Sequence, residues 1–224
     1  MIEDPTTCAA TDDAYQRYLE ALLTGDRRRC RVEFEAWLEA GTDLRTIYQD
    51  LVQRSLYEVG SLWERGRVSV ATEHLATAIT ESLLNLVYPR LFSQPRLGHA
   101  AVVTCTANEY HQIGGKMVAD LFELNGWRGH FLGANTPVRD LLSLIDEKRP
   151  AVVALSVTVY SGLDSLLNAA TEIRTRFPTL PILVGGQAFR WGGRERAEQL
   201  DGVQYLASLT DLEMWMKNHT PHAK

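Results

Sequence analysis

Nothing in the sequence approaches the roughly 20 consecutive apolar residues that a membrane-spanning helix needs. The opening Met-Ile-Glu-Asp-Pro-Thr-Thr lacks both the basic stretch and the apolar stretch of a secretory signal, so no membrane partner is expected. Cysteine is scarce. Cys8, Cys30 and Cys105 form an odd, scattered trio without C-x-x-C spacing. That pattern argues against a disulfide framework or a cysteine zinc site and points to a reducing, cytoplasmic setting. Positive charge is not in excess either: 23 Lys+Arg against 28 Asp+Glu leave a formal net charge of −5. Bulk-charge binding of nucleic acid is thereby disfavoured, and no direct nucleic-acid partner is expected. G-x-S-x-G, the P-loop and H-E-x-x-H are all missing, which leaves hydrolase, nucleotide-triphosphatase and zincin readings without support.

What is present suits one large or two small globular cores: 224 residues, 45% of them hydrophobic. Residues 1–11 are polar and read as a disordered tail. From Asp12 the apolar residues recur at three- and four-residue intervals, first as Tyr15, Tyr18, Leu19, Leu22 and Leu23, closed by Gly25. Asp26 caps a second helix with Val32, Phe34, Trp37 and Leu38, ended by Gly41. A third opens at Thr42 or Asp43 and runs to Trp63, and Ser69 caps a fourth that reaches about Phe92. Four amphipathic helices with short turns make 12–92 a four-helix bundle. The basic run Asp26-Arg-Arg-Arg-Cys-Arg31 reads as a solvated helix face.

Residues 93–98 carry the proline and glycine of a linker. Over 99–224 the rhythm changes to strands near 100–105, 128–133, 151–157, 181–185 and 203–206. Helices alternate with them near 112–125, 138–148, 162–176, 189–199 and 209–218. The fold class is therefore α followed by α/β, with a Rossmann- or flavodoxin-like, five-stranded, parallel, doubly wound sheet in the second part.

Three loops at strand ends carry the candidate chemistry. The first holds Glu109-x-His111-x-x-Gly114, a carboxylate and an imidazole spaced i, i+2. The second holds Ser156-Val-Thr158, whose hydroxyls could bond a polar ligand edge. The third holds Gly185-Gly186, where a ligand can approach the backbone. Phe189 and Trp191 follow and could flank a ligand. His99, His130, His219 and His222 have no neighbour at ligand spacing.

The spacing turns these pieces into a pattern. Gly114 and Ser156 are separated by 41 residues, and Thr158 and Gly185 by 26. Residue types and both gaps resemble the cobalamin-binding signature of the methionine-synthase type, over roughly 98–220. The resemblance implies that His111 is the lower cobalt ligand in place of the cofactor's own base, with Glu109 orienting it. It also implies that Ser156, Thr158, Gly185 and Gly186 line the tunnel for the displaced nucleotide tail, and that Gly114 belongs to the cofactor-binding set. Glu109 stands where that family usually has aspartate.

A second pattern lies in the helical part. Trp63, nine residues and then Glu73-His74 give W-x9-E-H, which looks like the cap of CarH-type light sensors. There the tryptophan covers the upper face of adenosylcobalamin, and the glutamate and histidine contact the adenosyl group. Two departures accompany the resemblance. Only a short tail precedes the bundle, where those repressors carry a DNA-reading domain. Glu64 stands where they have a cobalt-capturing histidine, which makes His74 the substitute candidate for an upper ligand.

The resemblance implies a non-enzymatic, stand-alone cobalamin sensor of light, binding adenosylcobalamin or hydroxocobalamin and signalling through self-association as a homo-oligomer or through a regulatory protein partner. It leaves three alternatives open. One is a corrinoid methyl carrier of a methyltransferase system. Another is a photoreceptor that pairs cobalamin with a linear tetrapyrrole such as biliverdin. The last is a cobalamin storage or redox module without light output.

Overall fold

The computed structural model describes residues 5–219, with side chains described from Asp12 onward; His222 lies outside this range. The chain divides into two compact units, with the division between Pro89 and Arg90.

The first unit is helical. Its elements are α1 (Pro5–Thr24), α2 (Arg27–Glu39), α3 (Leu44–Thr46), a π-helical segment (Ile47–Gln53), α4 (Arg54–Glu64), α5 (Val70–Leu83) and a 3-10 continuation (Leu84–Arg90). The expected caps are in place: Asp26, Asp43 and Ser69 accept from the backbone N–H groups of Arg29, Thr46 and Thr72, satisfying donors that a helix start leaves unpaired. The periodic residues Tyr15, Tyr18, Leu22, Phe34, Ile47, Leu51, Ile79 and Leu83 are buried together as the core, with α1 packed on α2, α4 and α5. The basic run behaves as a solvated face. Arg29 pairs with Glu20 and Arg31 with Glu35 at the surface, contacts of little net worth.

Three helical boundaries differ from expectation. Helix α1 begins at Pro5, inside the stretch read as a tail; proline suits a first turn because its missing N–H would be unpaired there anyway. The third helix contains the π segment, which 3.6-residue spacing does not reveal. The fourth turns 3-10 before Pro89, which cannot donate to the turn behind it.

The second unit carries β1 (Ala100–Cys105), α6 (Ile113–Leu124), β2 (Arg128–Phe131), α7 (Val138–Lys148), β3 (Val152–Ser156), a 3-10 turn (Tyr160–Gly162), α8 (Leu163–Arg176), β4 (Ile182–Gly185), a second 3-10 turn (Gln187–Trp191), α9 (Arg194–Glu198), β5 (Val203–Tyr205) and α10 (Leu209–His219). The sheet is parallel throughout, in the order β2-β1-β3-β4-β5. Its central strands β1 and β3 are buried at every position, as a sheet covered on both faces requires. Helices α7, α8 and α9 supply Leu141, Ile145, Leu166, Ile173 and Ala197 to one core, while α6 packs on β1 and β2 and meets α10. The expected helix at 189–199 is split. Gly192 and Gly193 have φ of +125° and +91°, values that break a helix and that L residues rarely adopt.

This strand order has one topological switch point, between β1 and β3, and open α/β sheets bind ligands outside the carboxyl ends of their strands there. The loops that leave β1 and β3 are those carrying Glu109-His111 and Thr158. Leu166, wholly shielded in the α8 core, tests the packing: Leu166→Ala should lose about 2–5 kcal/mol of unfolding free energy in urea denaturation.

Candidate functional site

Strand register sets the floor of the site. Cys105 of β1 lies beside Ser156 of β3, and Ser156 lies beside Gly185 of β4, a row across the carboxyl ends of the three central strands. Gly114 opens α6 against this row; a Cβ there would sit 3.7 Å from the Ser156 Oγ. Gly115 is tighter, its Cβ position lying 3.1 Å from Phe131 and 3.2 Å from the Cys105 Sγ. Gly186, at φ +116°, brings its backbone so close to Val157 that a Cβ would stand 2.1 Å from that carbonyl oxygen. Gly186 is thus needed first for chain packing, since no side chain fits between it and Val157.

Above the floor stands the β1–α6 loop. Asn108, at φ +67°, donates its N–H to the Asn135 side chain (2.8 Å), and the N–H of Asn135, itself at φ +51°, donates to the Glu109 carbonyl (2.8 Å). Asparagine is among the few residues that accept this backbone region. Ser165 Oγ donates to the Ala107 carbonyl, which fastens the loop to α8. Spacing alone did not flag Asn108, Asn135 or Ser165. The signal that could have marked the first two is asparagine in a loop that follows a strand.

Glu109 is 2% exposed, and its carboxylate meets donors on both oxygens. Its Oε1 accepts from the His111 backbone N–H (2.8 Å) and from His111 Nδ1 (2.6 Å). Its Oε2 accepts from the N–H groups of Thr158 (2.6 Å) and Val159 (3.2 Å) at the start of the β3–α8 loop. Burial alone would push the carboxyl up, but the hydrogen bonds from His111, Thr158 and Val159 outweigh it and hold Glu109 below its ordinary 4.5. The ionised carboxylate has only acceptors, so the proton of a neutral His111 ring sits on Nδ1 and the lone pair on Nε2, the state in which imidazole binds a metal. The His111 side chain is 49% exposed. Cys105, by contrast, is buried with its thiol pushed up to about 12 by burial and the Glu109 charge, which disfavours a thiolate ligand.

These residues fit a cobalt-bearing corrin. An imidazole is oriented by a carboxylate through its second nitrogen. Thr106 Oγ1 is a buried polar atom with no hydrogen-bond partner among the described residues, left at the end of β1. Tyr110, Val159, Tyr160 and Trp191 are large side chains exposed on the three loops, as suits a site that seats a broad, flat ring. The structure brings Glu109, His111 and Thr158 together, and Gly114, Ser156 and Gly185 along the floor. At Thr158 the contact it shows is the backbone N–H, not the hydroxyl. Phe189 does not flank the site: it is buried and packs on Tyr205 at 4.8 Å, while Trp191 is exposed.

Trp63, Glu73 and His74 lie in the first unit, either side of the α4–α5 turn. Trp63 is 47% exposed near the end of α4, where Gly66, at φ +68°, closes the helix by donating its N–H to the Trp63 carbonyl. Glu73 Oε1 accepts from Thr77 Oγ1, and its Oε2 lies 2.6 Å from His74 Nδ1. The His74 ring is 74% exposed. The pair repeats, at the surface of a helix, the carboxylate–imidazole contact of Glu109 and His111. Among the other histidines, His99 lies against Trp127 and His219 stacks on Trp215 at 4.1 Å.

The Glu109 shift has a thermodynamic consequence. A carboxyl held below 4.5 when folded contributes stability that is complete above that value and is lost as pH falls through the folded value. The cofactor-free Glu109→Gln variant should therefore be less stable than the wild type at neutral pH. The two should converge as pH is lowered below 4.5, measured by urea denaturation across that range.

Residues 14–88 match one family model described as "B12 binding domain", and residues 100–207 match a second model of the same description. Among curated proteins, the HTH-type transcriptional repressor CarA of Myxococcus xanthus is 32% identical over 148 residues, covering 65% of this chain and 50% of that protein. The HTH-type transcriptional repressor CarH of the same organism is 30% identical over 145 residues, covering 64% and 48%. The chain thus spans about half the length of these relatives. Among solved structures, the Methanosarcina barkeri monomethylamine corrinoid protein superposes with a TM-score of 0.78 at 12% identity, covering 92% of this chain and 99% of that one, a likeness of fold. With the two matched segments together spanning most of its length, the chain is a B12-binding-domain protein, its helical and α/β units each corresponding to one such domain.

Proposed function

We propose that the chain is a cobalamin-dependent light sensor that signals by changing its association with itself or with a regulatory protein. The observation that carries this reading is the α4–α5 turn. The large aromatic side chain of Trp63 and the imidazole of His74, the latter paired with a largely covered Glu73 carboxylate, are exposed to solvent there, a costly way to leave a tryptophan unless something covers it. The similarity to CarA and CarH supports it.

In this reading His111 holds cobalt through Nε2, with Glu109 fixing the ring, and the floor from Ser156 to Gly186 takes the nucleotide tail together with Gly114 and Thr158. Trp63, Glu73 and His74 would be the residues of the helical unit that contact the bound group, with His74 the candidate upper ligand. When bound, the group would supply a light-labile cobalt–ligand bond. The chain would supply the orientation of the His111 ring and a surface whose association depends on the state of the group, a two-state device of the usual kind. The second reading, a corrinoid methyl carrier, draws on the fold it shares with the monomethylamine corrinoid protein. It is disfavoured by the exposed Trp63, since a carrier needs an open upper face.

One experiment separates them. The chain is loaded in the dark with adenosyl-, methyl- or hydroxocobalamin, with and without biliverdin, and absorbance and elution volume are recorded before and after green light. A sensor changes both, and a change only with biliverdin adds a tetrapyrrole chromophore. Light responses no different from those of free cofactor, with constant elution, sink the sensor. His111→Ala should abolish binding or return the cofactor to its base-on spectrum; a bound cofactor with an unaltered spectrum would remove His111 from the site.

A further inference from the structure

The Glu109 carboxylate does more than orient His111. Its two oxygens serve different parts of the chain: Oε1 takes the His111 N–H and ring, and Oε2 takes the N–H groups of Thr158 and Val159. A carboxylate is one rigid plane, so neither oxygen moves without the other. We propose that Glu109 is a positioning residue that couples the state of the His111 ring to the backbone of the β3–α8 loop, and through it to the exposed Val159–Tyr160 surface.

The geometry supplies each link. Ligation at Nε2 makes Nδ1–H a stronger donor, and the carboxylate answers by shifting toward His111. The Thr158 and Val159 amides hang on its opposite oxygen and register the shift. Both belong to the segment that leads into Tyr160–Gly162, where Val159 and Tyr160 are exposed. The Tyr160 ring stands against Gly192, a Cβ there lying 3.8 Å from its hydroxyl, so the 3-10 turn that carries Trp191 is next in line. Length is what permits the double grip. An aspartate, one methylene shorter, cannot keep His111 and also reach both amides without moving a loop. The glutamate at this position is thus the specific device, and the inference rests on reading His111 as the cobalt ligand.

The test uses the full chain, labelled with nitrogen-15, and amide hydrogen exchange. Without cofactor, the Thr158 and Val159 amides should be protected in the wild type and exchange about tenfold or more faster in Glu109→Asp, the scale of losing a hydrogen bond to a charged acceptor. Glu109→Gln keeps the length but has a single acceptor oxygen, so it should release either the His111 amide or the Thr158–Val159 pair. Loading with hydroxocobalamin should then change exchange at Thr158 and Val159 in the wild type and leave it unchanged in Glu109→Asp carrying the cofactor. Equal exchange in wild type and Glu109→Asp without cofactor overturns the grip. Equal responses to loading in both overturn the coupling, because the cofactor then merely covers the loop. Failure of His111 as ligand shows separately, in the absorbance of His111→Ala.

Discussion

A carboxylate almost wholly shielded from water keeps its charge only if donors replace the water it has lost, and Glu109 finds them on two loops that are distant in sequence. His111 and the Thr158–Val159 backbone supply four donor contacts to one side chain. The exchange is mutual. Those donors hold the charge, and the charge holds the donors, so the loops after β1 and β3 are defined with respect to each other and not only to their own strands. The direction of the imidazole follows from that arrangement, as does the position of its lone pair.

The sheet makes such an arrangement reachable. Parallel strands in the order β2-β1-β3-β4-β5 put two neighbouring strands, β1 and β3, in the centre with their crossover helices leading away on opposite sides. The space between the departing loops is where the carboxylate sits. Register does the rest: Cys105, Ser156 and Gly185, all small residues, stand abreast at the carboxyl ends of the three strands. Gly186 cannot be replaced at the far end of that row because Val157 already occupies the room a Cβ would need.

How much of this could be read in advance depended on whether side chain or backbone carries the contact. Glu109 and His111 are two residues apart, and their pairing is local, so spacing revealed it. The parallel, doubly wound sheet followed from alternation, and the caps Asp26, Asp43 and Ser69 from residue type. The contact of Thr158 with Glu109 is made by its amide, and amides belong to every residue, so no sequence pattern marks the ones that will meet a carboxylate 49 positions away. Phe189 follows the glycine pair, a position from which it could flank a ligand or pack in the core. The 3-10 turn Gln187–Trp191 rotates it into the core and leaves Trp191 outside. Pro5 and Pro89 show both sides of one residue: at a helix start proline fits, and near a helix end it tightens the turn.

The π-helical stretch Ile47–Gln53 sits upstream of everything that α4 presents, including Trp63. Each residue added to or taken from an ordinary helix swings all that follows by about 100°, and a wider turn absorbs such a surplus locally. Downstream, the Tyr15 hydroxyl bonds Glu58 at 2.6 Å and Arg54 lies 3.7 Å over the Tyr15 ring, so α4 is pinned to α1 just after the wide turn. The aim of Trp63 is therefore a matter of counting as much as of contact. A residue gained or lost at Asp50 would ask α4 either to break those pins or to turn its tryptophan to another compass point, with every side chain in α4 unchanged.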